Sequence, residues 1–255
     1  MPKKRLTDLR RKELREQEKQ TAALTEIIQG ELNWLSRRVQ ERIRRLNSQK
    51  PGAGSPSRRL KKADFTGVDF WELFKIRLQA KILSALESGV ITLAQLQQLE
   101  PDKPFNLDTA EIAKGMEAEV GERVTNITND LKRKVGQNVM AWYNTPGMTV
   151  RDLNNRLAVN FSPSRAKLIA QTEITILDSA VQDAVAEKMG YTNWWWMTMR
   201  DQLVCTRKMI GPDGQKYNGC RELHGKIFTR GQWRPPKGSH PGCRCHSINI
   251  ARSAA

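Results

Sequence analysis

Cysteine is scarce in this chain and confined to one end. The 255 residues contain 4 cysteines, and none precedes Cys205. Disulfide stapling is thereby excluded for everything upstream. Histidine is rarer still, with 3 in all, at His224, His240 and His246. A histidine-based site therefore has to lie in the C-terminal part. No stretch approaches the ~18 consecutive apolar residues of a membrane-spanning helix. The opening MPKKRLTDLRRKELREQEKQ has no apolar core of the kind a secretory signal needs, so the expected compartment is the cytoplasm of the producing cell. In that reducing setting cysteines serve as thiols or metal ligands rather than disulfides. No H-E-x-x-H, nucleophile elbow, Walker loop or paired-histidine nuclease pattern occurs, and no enzymatic activity is expected. Aromatic residues make up only 6 %, yet 7 of them are tryptophans, which argues against a disordered chain.

Acidic residues are in the minority, 27 against 43 basic ones, giving a formal charge of +16. The excess is uneven. Residues 1–62 hold 18 Lys/Arg against 7 Asp/Glu, residues 63–199 hold 14 against 17, and residues 200–255 hold 11 against 3. Two basic ends flank a near-neutral middle. Such ends suit a polyanion, nucleic acid foremost, although a basic helix face can also simply be solvated.

Residues 6–48 read as helix. The apolar positions Leu24, Ile28, Leu32, Leu35, Val39, Ile43 and Leu46 step by four or three and form one seam close to a heptad pattern. The seam must pack on its own domain, on copies of itself or on a partner. Packing on its own domain is the commoner outcome, and the Gly/Pro/Ser-rich linker that follows keeps an arm reaching to a partner open beside it. Its arginines Arg37, Arg38, Arg42, Arg44 and Arg45 crowd the end of the helix and are the leading candidates for DNA contact.

The middle reads as a series of capped helices. Asp69 opens one that Gly89 ends, and Thr92 starts a short one through Leu99. Asp108 opens a long one to about Tyr143, Thr149 caps a shorter one, and Ser162 with Pro163 starts one that Gly190 stops. From Tyr191 onward the pattern changes to short strands, around NWWWMTMRDQ, KIFTR and HSINIA, between turn-rich segments. The expected fold is mainly α with a small C-terminal α+β or β-rich module. Its expected divisions are a basic amphipathic helical arm over 1–50, a flexible linker over 51–62, a helical domain over 63–190 and a Cys/His-rich module over 191–255.

That module has few aliphatic residues and is expected to need a staple. All four cysteines lie in it. Cys205, Cys220, Cys243 and Cys245, with His240 as an alternative ligand, are candidates for a structural zinc, which prefers four soft ligands in a tetrahedron. His224 and His246 are further donors nearby. The spacing is not the C-x-x-C form, so packed thiols and later disulfides stay open beside zinc.

Three motifs follow one another: SPSRAKLIAQTEITILDSAVQDA over 162–184, WMTMRDQLVC over 196–205 and HPGCRC over 240–245. In this order the chain resembles the phage Mu F-like minor head proteins, also called phage head morphogenesis proteins, over about residues 108–250. The matching positions are Arg165, Ala166, Ile169, Ala170, Thr172 and Glu173, then Trp196, Asp201 and Cys205, then His240, Pro241, Cys243, Arg244 and Cys245. Gln171 stands where the family commonly has Arg, and Lys208 where it commonly has a second cysteine, a place that Cys220 can take. The resemblance implies a viral structural protein of a tailed bacteriophage. It would be a virion component associated with portal and capsid or scaffold proteins during head assembly and DNA packaging, and in some members it leaves with the genome at ejection. The implied location is the phage head interior or portal region, after assembly in the host cytoplasm.

Two other readings compete. A zinc-containing DNA-binding regulator would need a recognition helix, and none is recognisable. A metal-dependent nuclease or toxin domain would need sequence beyond the motif region, and the chain is expected to leave no room for it.

Overall fold

The computed structural model describes residues 3–48, 69–97, 108–145, 147–198, 205–229, 231–232, 234–235 and 245–250. The helices are α1 (Lys3–Asn47), α2 (Phe70–Gln97), α3 (Thr109–Asn144), α4 (Val150–Ala158) and α5 (Pro163–Met189), with a 3-10 turn at Val159–Phe161 and a short α6 (Cys220–Leu223). The strands are β1 (Asn193–Met197), β2 (Met209–Ile210), β3 (Lys216–Tyr217), β4 (Ile227–Thr229) and β5 (His246–Ile250). The chain is thus mainly α with a small strand-containing C-terminal part. Among the described residues no helix is long and apolar enough to cross a membrane.

Helix boundaries follow local chemistry. Asp108 Oδ1 accepts from the Glu111 amide at 3.0 Å and opens α3. Thr149 and Asp152 form a reciprocal capping box at α4. Ser162 Oγ accepts from the Arg165 amide at 3.4 Å, just before Pro163 begins α5. At the far end Gly190 adopts φ +68°, the Tyr191 amide donates to the Ala186 carbonyl at 2.9 Å, and the Gly190 amide donates to that of Glu187 at 3.3 Å. That is the Schellman arrangement a C-terminal glycine permits.

Gly89 departs from its expected role. It does not end α2, and no new helix starts at Thr92; α2 continues to Gln97. A Cβ at Gly89 would meet the Leu177 side chain at 2.7 Å and Gln20 Oε1 at 3.2 Å, so this glycine lets helices approach closely rather than stopping one.

Two compact units are formed, one from residues 1–24, 83–117 and 167–255, the other from 25–82 and 118–166. Residues 1–50, expected to form the arm, contribute to both units. The linker expected at 51–62 lies outside the described residues. The apolar seam explains the difference. Leu24, Ile28, Leu32, Leu35, Val39, Ile43 and Leu46 are only 0–3 % exposed within the single chain. Of the three possible destinations of the seam, the structure shows the chain itself.

In the second unit α1 packs beside α2 and α4. Glu31 is fully buried and takes a bidentate contact from Arg77 (2.7 and 3.0 Å) and another from Lys81 at 2.7 Å. The Arg77 guanidinium also stacks 4.8 Å over the Trp34 ring. Burial pushes the Glu31 carboxyl up, but these cations together hold it below its ordinary value.

In the first unit the strands form a three-stranded antiparallel sheet in the order β4-β1-β5, with β2 and β3 as a separate hairpin. Trp194 pairs with Phe228 on one side and Asn249 on the other, and Trp196 pairs with Ser247. Their inner face meets Tyr217, Cys220, Leu223 and Cys245 in one apolar cluster, with Cys205 and Met209 packed against it. The few aliphatic residues expected of this part are supplemented by rings. Its core is aromatic rather than aliphatic, and a tryptophan buries more area than any aliphatic side chain.

Candidate nucleic-acid interface and cysteine cluster

The α1 helix has two faces. While the seam faces inward, Arg37, Arg38, Arg44 and Arg45 are exposed and Arg42 is half-buried. The five arginines are not equivalent. Arg38 Nη1 lies 3.0 Å from Glu41 Oε2, and its guanidinium sits 5.5 Å from the Trp34 ring, so its charge is engaged locally. Arg37, Arg44 and Arg45 form no ion pair among the described residues. Of the five, these three are the exposed cations without an ion pair among the described residues.

The motif residues on α5 are placed for architecture. Arg165 Nη2 donates to Asp130 Oδ2 at 2.9 Å and ties the start of α5 to α3. Asp130 also receives Arg133 and Lys134, each at 2.8 Å. Burial pushes its carboxyl up, but hydrogen bonds from Lys134, Arg165 and Arg133 outweigh that and hold it down at about 2. Thr172 Oγ1 donates to the Leu168 carbonyl one turn back at 2.8 Å, and Glu173 is buried within α5. Asp201, Pro241 and Arg244 lie outside the described residues.

Three of the proposed metal ligands come together. Cys220 and Cys245 are buried in the aromatic cluster, and Cys205 packs against it, its Sγ accepting the Arg207 amide at 3.4 Å. Gly219 makes this possible. It adopts φ +94°, and any Cβ there would strike the Cys205 carbonyl, so only glycine lets the two segments meet. The Cys220 Sγ lies 3.9 Å from the Met209 thioether. Among the described residues, however, no group of three or more Cys, His, Asp or Glu side chains is arranged to hold a metal. The other two candidates, Cys243 and His240, lie outside the described residues. The residues described do not by themselves fit a zinc site.

His224 has a different task. The Thr198 amide donates to its Nδ1 at 3.0 Å, which fixes Nδ1 as an acceptor at the end of β1. The segment between the cysteines, GPDGQKYNG, is the β2–β3 hairpin, where the Tyr217 hydroxyl donates to Asp213 Oδ2 at 2.5 Å. That bond pushes the phenol up to about 12, with burial adding to it.

Arg234 escaped the sequence reading. It is buried, and its Nη1 donates to Ser247 Oγ at 3.1 Å and to Asn249 Oδ1 at 2.9 Å. Its Nε pairs with Asp183 on α5, and its guanidinium stacks 5.3 Å from the Trp194 ring. Asn249 Nδ2 in turn donates to the Gln182 carbonyl at 2.9 Å. These bonds fasten the sheet to α5. One basic residue in a basic, turn-rich stretch carries no signal of such a role. Comparison of the chain with protein-family models, with curated proteins and with solved structures finds no match.

Proposed function

We propose that this chain is a minor structural protein of a tailed-bacteriophage head, acting in head morphogenesis. On this reading it holds packaged double-stranded DNA, without sequence preference, on the arginine face of α1. It meets the portal or the inner capsid, or a scaffold protein, through its near-neutral helical surface. The observation that carries the DNA part is the division of α1: a seam wholly buried by the chain itself, and unpaired arginines opposite. The family part is supported by the order of the three motifs in the sequence.

Mobility shift of the full chain with two duplexes of unrelated sequence tests the reading. Equal affinities that fall steeply with salt are expected, because phosphate contacts release counterions. A preference of about 10³-fold or more for one sequence would favour the zinc-containing regulator instead. Cleavage of DNA with added divalent metal would favour the nuclease. Co-purification with a tailed-phage portal protein tests the assembly role.

A structural zinc at Cys205, Cys220, Cys243 and Cys245, with His240 able to replace one of them, belongs to the proposal as a subordinate part. What supports it is the sequence, which confines all four cysteines to this module. When bound, zinc would cross-link the loop segments of this module. Metal analysis of protein purified without chelators decides: about one zinc per chain is expected, and none sinks this part alone.

A further inference from the structure

Two hydrogen bonds fix α1 against the segment that follows α3. Gln29 Nε2 donates to the Phe161 carbonyl at 3.0 Å, and Gln40 Nε2 donates to Asn154 Oδ1 at 2.8 Å. Rising numbers on α1 therefore meet falling numbers on α4, and the two run antiparallel. One turn beyond the Gln40–Asn154 bridge, Arg44 of α1 comes level with Arg151 of α4, and one turn before it stands Arg37. Arg37 and Arg44 are about 10 Å apart along the axis at 1.5 Å per residue.

All three arginines are exposed, and none forms an ion pair among the described residues. The acids nearest to them in sequence are occupied. Glu41 is held by Arg38, and Asp152 accepts the amide and hydroxyl of Thr149 at 2.9 and 2.7 Å. Leu153 and Leu157 are buried and fix the inner face of α4, which leaves Arg151 and Asn154 outside. Because Asn154 uses its Oδ1 on Gln40, its Nδ2 hydrogens are left for an outside acceptor.

We infer that α4 and the C-terminal half of α1 form one two-helix ridge that holds the phosphate backbone of duplex DNA, with Arg151 as a third cationic contact beside Arg37 and Arg44 and Asn154 as a neutral donor between them. This rests on the proposed non-specific DNA binding and adds a second element to it. Unpaired guanidinium groups with an amide donor among them complement phosphate oxygens, which accept from Arg and Asn side chains alike. Contacts to the phosphate backbone position the duplex without selecting sequence.

The test is a salt titration of the full chain on random duplex DNA, followed by fluorescence anisotropy. Each lost phosphate contact lowers the slope of log K against log salt by about 0.9. Arg151→Gln should lower it by about 0.9, the pair Arg37→Gln with Arg44→Gln by about 1.8, and all three by about 2.7. Circular dichroism should stay unchanged, since these side chains are exposed. If the α1 pair lowers the slope and Arg151→Gln does not, the ridge is wrong and the DNA reading stands. If the unaltered chain binds no duplex, the DNA reading falls with it. Tighter binding to phosphatidylserine vesicles than to duplex, lost in the same variants, would overturn the inference by naming a membrane as the occupant.

Discussion

Leu35→Ala distinguishes a helix that belongs to the core from an arm that waits for a partner. Leu35 is 0 % exposed in the single chain, in the middle of the buried seam. The change removes three carbon positions, about 2.4 kcal/mol at about 0.8 kcal/mol per buried methylene. The unfilled space raises the total to about 3–4 kcal/mol. With a urea dependence of about 2 kcal/mol per molar, the unfolding midpoint should fall by roughly 1.5–2 M. Arg37→Ala, on the outer face of the same helix, should cost no more than about 0.5 kcal/mol. Leu35→Asp should unfold or aggregate the free protein, because it places an unpaired carboxylate in the seam. The readout is urea unfolding followed by far-UV circular dichroism. A Leu35→Ala midpoint within error of the unaltered chain would refute the reasoning and restore the partner-arm reading.

The other expectations concern the ion pairs and the cysteines. Asp130 has its folded value held at about 2 against an ordinary value near 4, so its contribution is present above about pH 4 and is lost as pH falls from about 4 to about 2. Asp130→Asn should weaken the protein at pH 7 and flatten the acid limb of its stability curve in that window, as read by urea midpoints at each pH. Arg234→Met keeps an apolar stem over Trp194 but leaves Asn249 Oδ1 and Ser247 without their cation. It should cost about 2–4 kcal/mol, and tryptophan fluorescence should report loosening of the sheet. Cys220→Ala should cost about 1–2 kcal/mol if the side chain only packs, with Cys220→Ser worse because it buries a hydroxyl. If Cys220 is a zinc ligand, both variants should instead lose metal together in an inductively coupled plasma assay.

The helices were legible where the chain carries its own punctuation. Asp108, Thr149, Ser162 with Pro163, and Gly190 each act through hydrogen bonds or backbone geometry within a few residues, so the sequence alone marks the boundary. Gly89 is not of that kind. Whether a glycine stops a helix or admits a neighbour depends here on Leu177 and Gln20, both distant in sequence. The seam on α1 was found residue by residue, but its destination was not. Steps of three and four serve a coiled-coil contact and an intramolecular core equally, and only the fold shows that the chain covers them. The arginines of α1 were legible as a cluster. That Arg38 is engaged by Glu41 follows from their i, i+3 spacing, whereas the inferred ridge with Arg151 requires the α1–α4 pairing that Gln40 and Asn154 mark.

The C-terminal module shows why counting aliphatic residues misled. Val, Ile and Leu are sparse after Tyr191, and a metal staple was inferred to make up the deficit. Trp194, Trp196 and Phe228 alternate correctly along β1 and β4 to share one face, and Tyr217, Leu223 and two cysteines close over them. Strand alternation was visible in the sequence; the pairing that sums these rings into a core was not. Arg234 then links this sheet to α5 with bonds to both, so the module has an apolar core and a polar tie. Any metal held by the cysteines would add to that core. It would act on the segments around Cys205 and Cys220, where the chain has only the two-residue strands β2 and β3, rather than on β1 and β5, whose five-residue pairing and Arg234 contacts are already in place. Chelation of a bound metal should accordingly loosen the Cys205–Cys220 region first and leave the inner tryptophans of β1 buried.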